Sequence, residues 1–371
     1  MSRRIRPMLV LVTAAALLPL GAGTASASAS PAEPRLCPPP ASALAGAVGE
    51  AGKADRRTAP LPPNVVAFIK KYCAWGEKTS VVKNYMDLFT SDGTLMDTGL
   101  PQPIGRTVIK EQIEGVLKVM PDYVFEPVSV TSSPDGGVIF VKARNTGTVK
   151  QLQGPAVSVD YYTMHRLVLR GDEVEQGRRF WDQTELFRPL DQTLPNLFAG
   201  LGSGGAAGRA AGGAAVGKRS TGLPGTAEWK ERRKQAWNSG DVSALVPDVR
   251  NLRLNGPGLK GPITGAAGAE EYLGRFFGAM RGQLKLEPGN TVRKGRTVHQ
   301  EWVGHATVGP DDENGNPTTP REVTYGIVER FTHDGRGGTE WELSFETLDL
   351  VATQSRIAKL RERIFPPKKI S

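Results

Sequence analysis

The sequence predicts an α+β fold: two tandem cone-shaped domains, each with N-terminal helices packed in a curved, mostly antiparallel sheet. Three observations carry that expectation. Helical hydrophobic periodicity followed by two-residue periodicity occurs twice along the 371 residues. Two stretches rich in Ala, Gly and Pro, at 30–60 and 196–225, set the periodic blocks apart. Four short echoes link the blocks in order: Ala74-Trp75 with Ala236-Trp237, Pro103-Ile104 with Pro262-Ile263, Glu126-Pro127 with Glu287-Pro288, and 161–166 with 325–330. Their offsets are 162, 159, 161 and 164, so a duplicated unit with small loop insertions accounts for them.

In the first block Val65, Phe68, Ile69, Tyr72 and Cys73 recur at helical spacing, with Lys70 and Lys71 on the other side. Val81, Val82, Tyr85, Leu88 and Phe89 predict a second helix. Ile109, Ile113, Val116, Leu117 and Met120 predict a third, stopped by Pro121. A short strand is expected at 94–97 and longer ones at 124–132, 137–150, 156–170 and 173–187, with turns at 133–137 and 171–172. The second block repeats the order. Helices are expected at 229–237 and 269–280, the latter with Tyr272, Leu273, Phe276 and Phe277 inward, and strands follow to Leu350. The expected organisation is a signal peptide at 1–29, an arm at 30–60, domain 1 at 61–190, a flexible Gly/Ala-rich linker at 191–225, diverged domain 2 at 226–353, and a basic tail at 354–371.

Arg3, Arg4 and Arg6 precede an apolar run from Met8 to Leu20, and A-x-A sites end at Ala27 and Ala29. That pattern predicts export, by a run too short to span a bilayer, and no lipobox precedes Cys37. Stable membrane insertion is not expected, and the location is secreted, extracellular or envelope-associated. Net charge falls from +9 to +6 when the three arginines leave with the signal. The basic residues are spread out, apart from a tail around Lys359, Arg361, Arg363, Lys368 and Lys369, and lack interleaved aromatics, so nucleic acid is not a partner. The two cysteines, Cys37 and Cys73, are expected to form one disulfide in an oxidising compartment.

The helix order, the stretch 91–97 ending in Asp97, and Pro103-Ile104-Gly105-Arg106 leading into a third helix are similar to the nuclear transport factor 2-like superfamily. The resemblance is to its SnoaL-like and ketosteroid isomerase-like branch, and covers both blocks. It implies that Asp97 stands at the mouth of the cone in the place of a general base. The oxyanion partners of a ketosteroid isomerase do not carry over, because their positions fall near Lys70 and at Thr163. Strand parity puts Tyr161, Thr163 and His165 on the apolar face, and Trp181 matches a pocket tryptophan of the family. Asp97 and His165 are the candidate catalytic pair; Tyr161, Thr163, Trp181 and Met120 are candidate ligand contacts. The alternative is structural: Tyr161 and Trp181 as core aromatics, His165 satisfied by hydrogen bonds, and Asp97 as a turn cap.

In the second block Asn255-Gly256 replaces Asp97 and Glu329 replaces His165. Tyr325 and Glu329 are candidate contacts there, or Glu329 forms an ion pair with Arg253. The acidic run 311–316 lacks the final carboxylate of a calcium loop, and His299 and His305 lack a third ligand, so no metal or other cofactor is expected. Two functions follow. The first is an exported, non-catalytic protein that binds a small apolar ligand or an envelope protein. The second, implied by the resemblance, is an isomerase, cyclase or dehydratase that uses Asp97 as base on a polyketide-like or steroid-like substrate. Domain–domain packing or a homodimer is the expected use of an open sheet face.

Overall fold

The computed structural model describes residues 36–37, 60–75, 81–152, 154–202, 224–249 and 251–364. The expected signal at 1–29, nearly all of the arm, and the centre of the linker lie outside the described residues.

The first cone begins with α1 (Pro63–Ala74), where Pro63 fits because the first helical N–H has no partner in any case. Its Val65, Phe68, Ile69 and Tyr72 are buried. α2 (Val81–Met86) is shorter than its periodicity predicts. Leu88 and Phe89 leave the helix because Phe89 already pairs with Val174 across the sheet, so β1 (Phe89–Met96) starts five residues before the expected strand. β2 (Ile104–Gly105), α3 (Arg106–Val119), β3 (Val124–Ser132), β4 (Val138–Val149) and β5 (Val157–Arg170) follow as expected. β6 (Glu173–Phe180) ends seven residues before the expected strand does. The chain turns at Trp181 because Asp182 caps α4 (Gln183–Phe187), accepting from the Thr184 amide at 3.0 Å.

The second cone repeats the plan with α5 (Ala227–Ser239), α6 (Val242–Leu245), β7 (Asn251–Asn255), β8 (Ile263–Thr264) and α7 (Ala266–Ala279). Its long strands are β9 (Leu284–Lys294), β10 (Thr297–Val308), β11 (Arg321–His333) and β12 (Gly338–Ser344), after which come α8 (Leu348–Val351) and α9 (Gln354–Ile364). The sheet orders are β2-β1-β6-β5-β4-β3 and β8-β7-β12-β11-β10-β9, the same topology twice. Each sheet is antiparallel except where its first strand runs parallel to its last, β1 with β6 and β7 with β12.

The sequence echoes have structural causes. Ile104 pairs with Leu95, and Ile263 with Leu254. Pro127 and Pro288 each adjoin a register shift, because a proline cannot donate to the ladder. Trp75 and Trp237 are both buried in the cores of their cones.

The two sheets meet through their outer faces. Phe140, Met164 and Phe180 pack with Val292 and Val328, and the Phe140 ring stacks on His299 at 4.8 Å. This contact explains β5, where Ser158, Asp160 and Tyr162 are exposed but Met164 and Arg166, on the same face, are buried. Below it, Asp182 accepts from the Thr347 amide at 3.1 Å, while Glu346 accepts from the Gln183 amide at 3.2 Å. The exchange is reciprocal, residue for residue, at an offset of 164. Such self-complementary exchange is the geometry of a two-fold interface, here within one chain. Burial, then the Asp182 and Asp349 charges, hold the Glu346 carboxyl well above its ordinary range.

Two segments expected to be solvated are packed. Residues 191–202, placed in the flexible linker by composition, bury Leu194 and Phe198, two apolar side chains that the surrounding Gly and Ala residues mask. The tail forms α9, with Ile357, Leu360 and Ile364 buried at helical spacing and its basic residues outward. Cys37 and Cys73 are disulfide-bonded, with Cα atoms 5.4 Å apart and a sequence separation of 36. By chain entropy such a loop contributes about 3–4 kcal/mol. A disulfide fits an extracellular or envelope location. No described helix is long and apolar enough to cross a membrane.

Candidate functional site

β1 lies parallel to β6 with Met96 opposite Arg178, which brings Asp97 beside Arg179. The Arg179 guanidinium donates to Asp97 Oδ2, Trp181 Nε1 donates to Oδ1 at 3.1 Å, and the Thr98 amide donates to Oδ1 at 3.0 Å. Three donors on one carboxylate hold it in place. Trp181 in turn stacks on Tyr161, with ring centroids 5.0 Å apart. Burial pushes the Tyr161 phenol up to about 12, so it is neutral at ordinary pH.

His165 lies in a different part of the first cone, at the end of a hydrogen-bond chain. Tyr123 donates to Asn145 Oδ1 at 2.7 Å, and Asn145 Nδ2 donates to Thr163 Oγ1 at 3.1 Å. Thr163 Oγ1 lies 2.8 Å from His165 Nε2, and His165 Nδ1 lies 3.3 Å from the Tyr72 hydroxyl. In either neutral tautomer one ring nitrogen donates and the other accepts, and a hydroxyl can serve as partner in both roles. Both ring nitrogens are thereby used. Tyr72 and Phe125 pack over the ring. Burial, then the Arg179 charge, depress the His165 imidazole to about 3.

His299, beneath Phe140, is likewise depressed to about 3, by burial and then Arg330. Both imidazoles should stay neutral in the folded protein far below the ordinary pH of 6.5, and nitrogen chemical shifts across a pH titration will check this. The unfolded chain takes up protons near 6.5 that the folded chain refuses until about 3. The stability that depends on neutral imidazole is therefore complete above about pH 6.5. It declines as pH falls, by about 1.4 kcal/mol per pH unit per histidine. A midpoint near 6.5 for either ring would refute its burial.

Of the other candidates, Met120 is buried at the C-terminal end of α3 in one apolar cluster with Val149, Val159 and Tyr161. Tyr325 is buried and donates its hydroxyl to the Glu346 carbonyl. Glu329 pairs with Arg233 of α5, not with Arg253, which is exposed on β7. Arg233 donates Nε to Glu329 Oε2 at 2.6 Å and Nη2 to Oε1 at 2.5 Å, and Trp302 Nε1 adds a third donor at 2.8 Å. The guanidinium lies 4.9–5.3 Å from the rings of Trp229, Phe331 and Trp341. This box fills the position of His165 in the second cone with a complete ion pair.

Two partners escaped sequence reasoning. Asn145 carried a signal, since it shares the parity of apolar Val141 and Ala143 on β4. Tyr72 stood out only as one of the apolar-face positions of α1, yet it is the residue that meets His165. No cluster of metal-ligating side chains occurs among the described residues. The acidic run is a turn in which Asp312 accepts from the amides of Asn314 and Asn316, both at 2.8 Å.

The open space is uneven. The hollow that touches Asp97 is about 30 Å³, room for roughly one water. It shares Gly99, Leu100, Thr324 and Asp349 with a cleft of about 780 Å³ between the mouth loop of the first cone, the β10–β11 end of the second, and α9. That volume suits a small organic molecule.

No family model and no curated protein matches the chain. Among solved structures, a phenazine biosynthesis-related protein from Pseudomonas aeruginosa is 18% identical over 34% of this chain and 86% of its own, with a TM-score of 0.30. A protein described as a SnoaL-like polyketide cyclase, from Jannaschia sp. CCS1, is 16% identical over 35% of this chain and 96% of its own, with a TM-score of 0.31. A protein with a ketosteroid isomerase-like fold from Catenulispora acidiphila, in complex with trimethylamine, is 17% identical over 35% and 93%, with a TM-score of 0.29. By the topology of its own two sheets, this chain holds one α+β cone twice in tandem, the architecture that the resemblance implies.

Proposed function

We propose that this is an exported, non-catalytic binding protein whose first cone takes a small apolar ligand at its mouth, against Met120, Tyr161 and Trp181. One observation carries the choice of binding over catalysis: each inward ionisable group singled out as a candidate is already fully engaged. Asp97 holds Arg179, Trp181 and the Thr98 amide; His165 uses both ring nitrogens; Glu329 is clamped by Arg233 and Trp302. A general base must be free to accept a proton in the transition state, and a carboxylate ion-paired with arginine is a poor one. The export pattern at the N-terminus and the disulfide support the location.

The enzymatic alternative would need Asp97 to exchange Arg179 for a substrate proton. Incubation with a cyclic aryl ketone such as 1-tetralone in D₂O tests both readings. The wild-type protein should not accelerate deuterium exchange at the carbon next to the carbonyl, while the ketone quenches fluorescence from the Trp181 region. Asp97→Asn should leave binding within about threefold and lower the melting temperature by a few degrees, through loss of a partly buried charge-assisted pair. Acceleration of 10²-fold or more that Asp97→Asn abolishes would establish the enzyme instead.

A further inference from the structure

Each cone is closed by the segment that follows the other. After the first cone, Phe198 enters the second, stacking on Tyr272 with centroids 4.0 Å apart, and Asn196 donates to the Gly258 carbonyl at 3.0 Å. After the second cone, α9 crosses to the first and sets Ile357, Leu360 and Ile364 against the cluster of Met120, Val159 and Tyr161. Gly99 and Gly258 occupy equivalent mouth-loop positions 159 apart, both with positive φ, of 78° and 72°. The crossing segments approach both: Arg361 reaches the side-chain position of Gly99, and Asn196 and Phe198 reach that of Gly258.

The two closures differ in depth. Phe198 belongs to the main core of the second cone, together with Trp237, Tyr272 and Phe276. The contacts of α9 form an apolar cluster separate from the core of the first cone, which is built on Phe68, Trp75 and Phe125. α9 can therefore lift without opening that core. Among its polar ties, Arg361 Nη2 donates to Gln183 Oε1 at 3.4 Å and Lys359 meets Glu313 at 3.5 Å. Others lie to one side: Arg356 meets Asp191 at 3.0 Å and Thr193 at 2.6 Å, Arg363 Nη1 donates to the Leu190 carbonyl at 2.8 Å, and the Leu152 amide donates to the Arg363 carbonyl at 2.9 Å. On the opposite side α9 borders the cleft of about 780 Å³, with Ile357, Ala358 and Arg361 on its wall. An isolated helix of 11 residues is marginal in water, so release from this surface also frays it.

We propose that α9 is a removable lid over the ligand site of the first cone, held by its own apolar side chains in the place of the ligand. This rests on the reading of the mouth as that site. The ligand is then an apolar molecule that competes with Ile357, Leu360 and Ile364 for Met120 and Tyr161. Its apparent affinity is the intrinsic one reduced by the fraction of molecules with the lid open.

The test uses the full mature chain, the uncharged fluorophore N-phenyl-1-naphthylamine, and hydrogen exchange read by mass spectrometry. Leu360→Glu drives a carboxylate into the cluster and should unseat α9. Exchange in 354–364 should rise while β4 and β5 stay protected, and the dissociation constant of the fluorophore should fall at least tenfold. Saturating fluorophore should also speed exchange at α9 in the wild-type chain. Should Leu360→Glu expose β4 and β5, the double variant Arg356→Ala/Arg363→Ala, which removes only surface ties, decides instead. Faster exchange at α9 with unchanged fluorophore affinity overturns the lid. Met120→Trp, which fills the mouth, should cancel the gain in the unseated background. If the gain persists, the fluorophore sits elsewhere, and the site reading fails together with the lid that rests on it.

Discussion

Arg233→Met should destabilise the second cone by about 3–5 kcal/mol, because it leaves the Glu329 carboxylate buried with no cation. Arg233 and Glu329 are 3% and 0% exposed, so water cannot replace the lost partner. The methionine fills most of the volume and keeps an apolar contact with Trp229, Phe331 and Trp341, which limits the effect to charge and hydrogen bonding. Glu329→Gln should do comparable damage in the other direction, stranding the guanidinium and weakening the bond from Trp302. The double variant Arg233→Met/Glu329→Gln removes both charges and keeps an acceptor for Trp302 Nε1. It should therefore lose much less than the two single variants together. Urea unfolding of the three variants gives the coupling energy. A single-variant loss below about 1 kcal/mol would mean that the pair is hydrated, and that the second cone is more open than its packing implies.

That ion pair also marks the limit of what the sequence discloses. The order of helices and strands was legible because hydrophobic period is a local property, and the inward parity of Tyr161, Thr163 and His165 followed from alternation alone. Pairing is not local. Glu329 drew attention on β11, but nothing in the sequence chooses between Arg253, nearer in the sheet, and Arg233, 96 residues away on a helix. Arg179 was visible next to Trp181 without any sign that it would hold Asp97, since that contact needs the parallel pairing of β1 with β6. Composition misled at both crossing segments. Gly and Ala around Phe198 resembled a linker, and the charges of α9 hid three apolar residues that pack on the other copy. In each case the partner surface is in the other half of the chain.

The interface between the copies explains why duplication was followed by divergence. Lys142 stands opposite Met164 in register, and Glu301 opposite Val328; Arg178 stands opposite Arg166, and Glu342 opposite Arg330. Lys142 and Glu301 are thus equivalent positions, as are Arg178 and Glu342, and at both the first copy is basic and the second acidic. Lys142 meets Glu342 at 2.8 Å and Arg178 meets Glu301 at 3.5 Å across the interface. Pairing two first copies through this face would set Lys142 against Arg178, and two second copies would set Glu301 against Glu342. Like charges in a dry contact disfavour both arrangements, so the charge pattern selects the pairing of unlike copies.

Glu301→Gln should consequently be the most damaging single change at that interface, at about 3–5 kcal/mol. Glu301 is 2% exposed and compensates two guanidiniums, Arg166 at 3.2 Å and Arg178 at 3.5 Å, while accepting from the Asn290 amide at 2.9 Å. Glutamine keeps the shape and an acceptor for Asn290 but leaves two positive charges close together in a poorly hydrated contact. Lys142→Met provides the comparison. It removes one of two cations around Glu342, leaves Arg330 at 3.0 Å, and so should cost about 1–2 kcal/mol. If the charges are what the interface must balance, the triple variant Arg166→Met/Arg178→Met/Glu301→Met should recover most of the loss, since a buried ionic cluster replaced whole by apolar side chains is often neutral. Urea unfolding measures the losses, and sedimentation at several concentrations shows whether the separated sheet faces then seek other partners. Should Glu301→Gln unfold with the wild-type midpoint, the two guanidiniums must reach water, and the sheets do not form the dry contact described above.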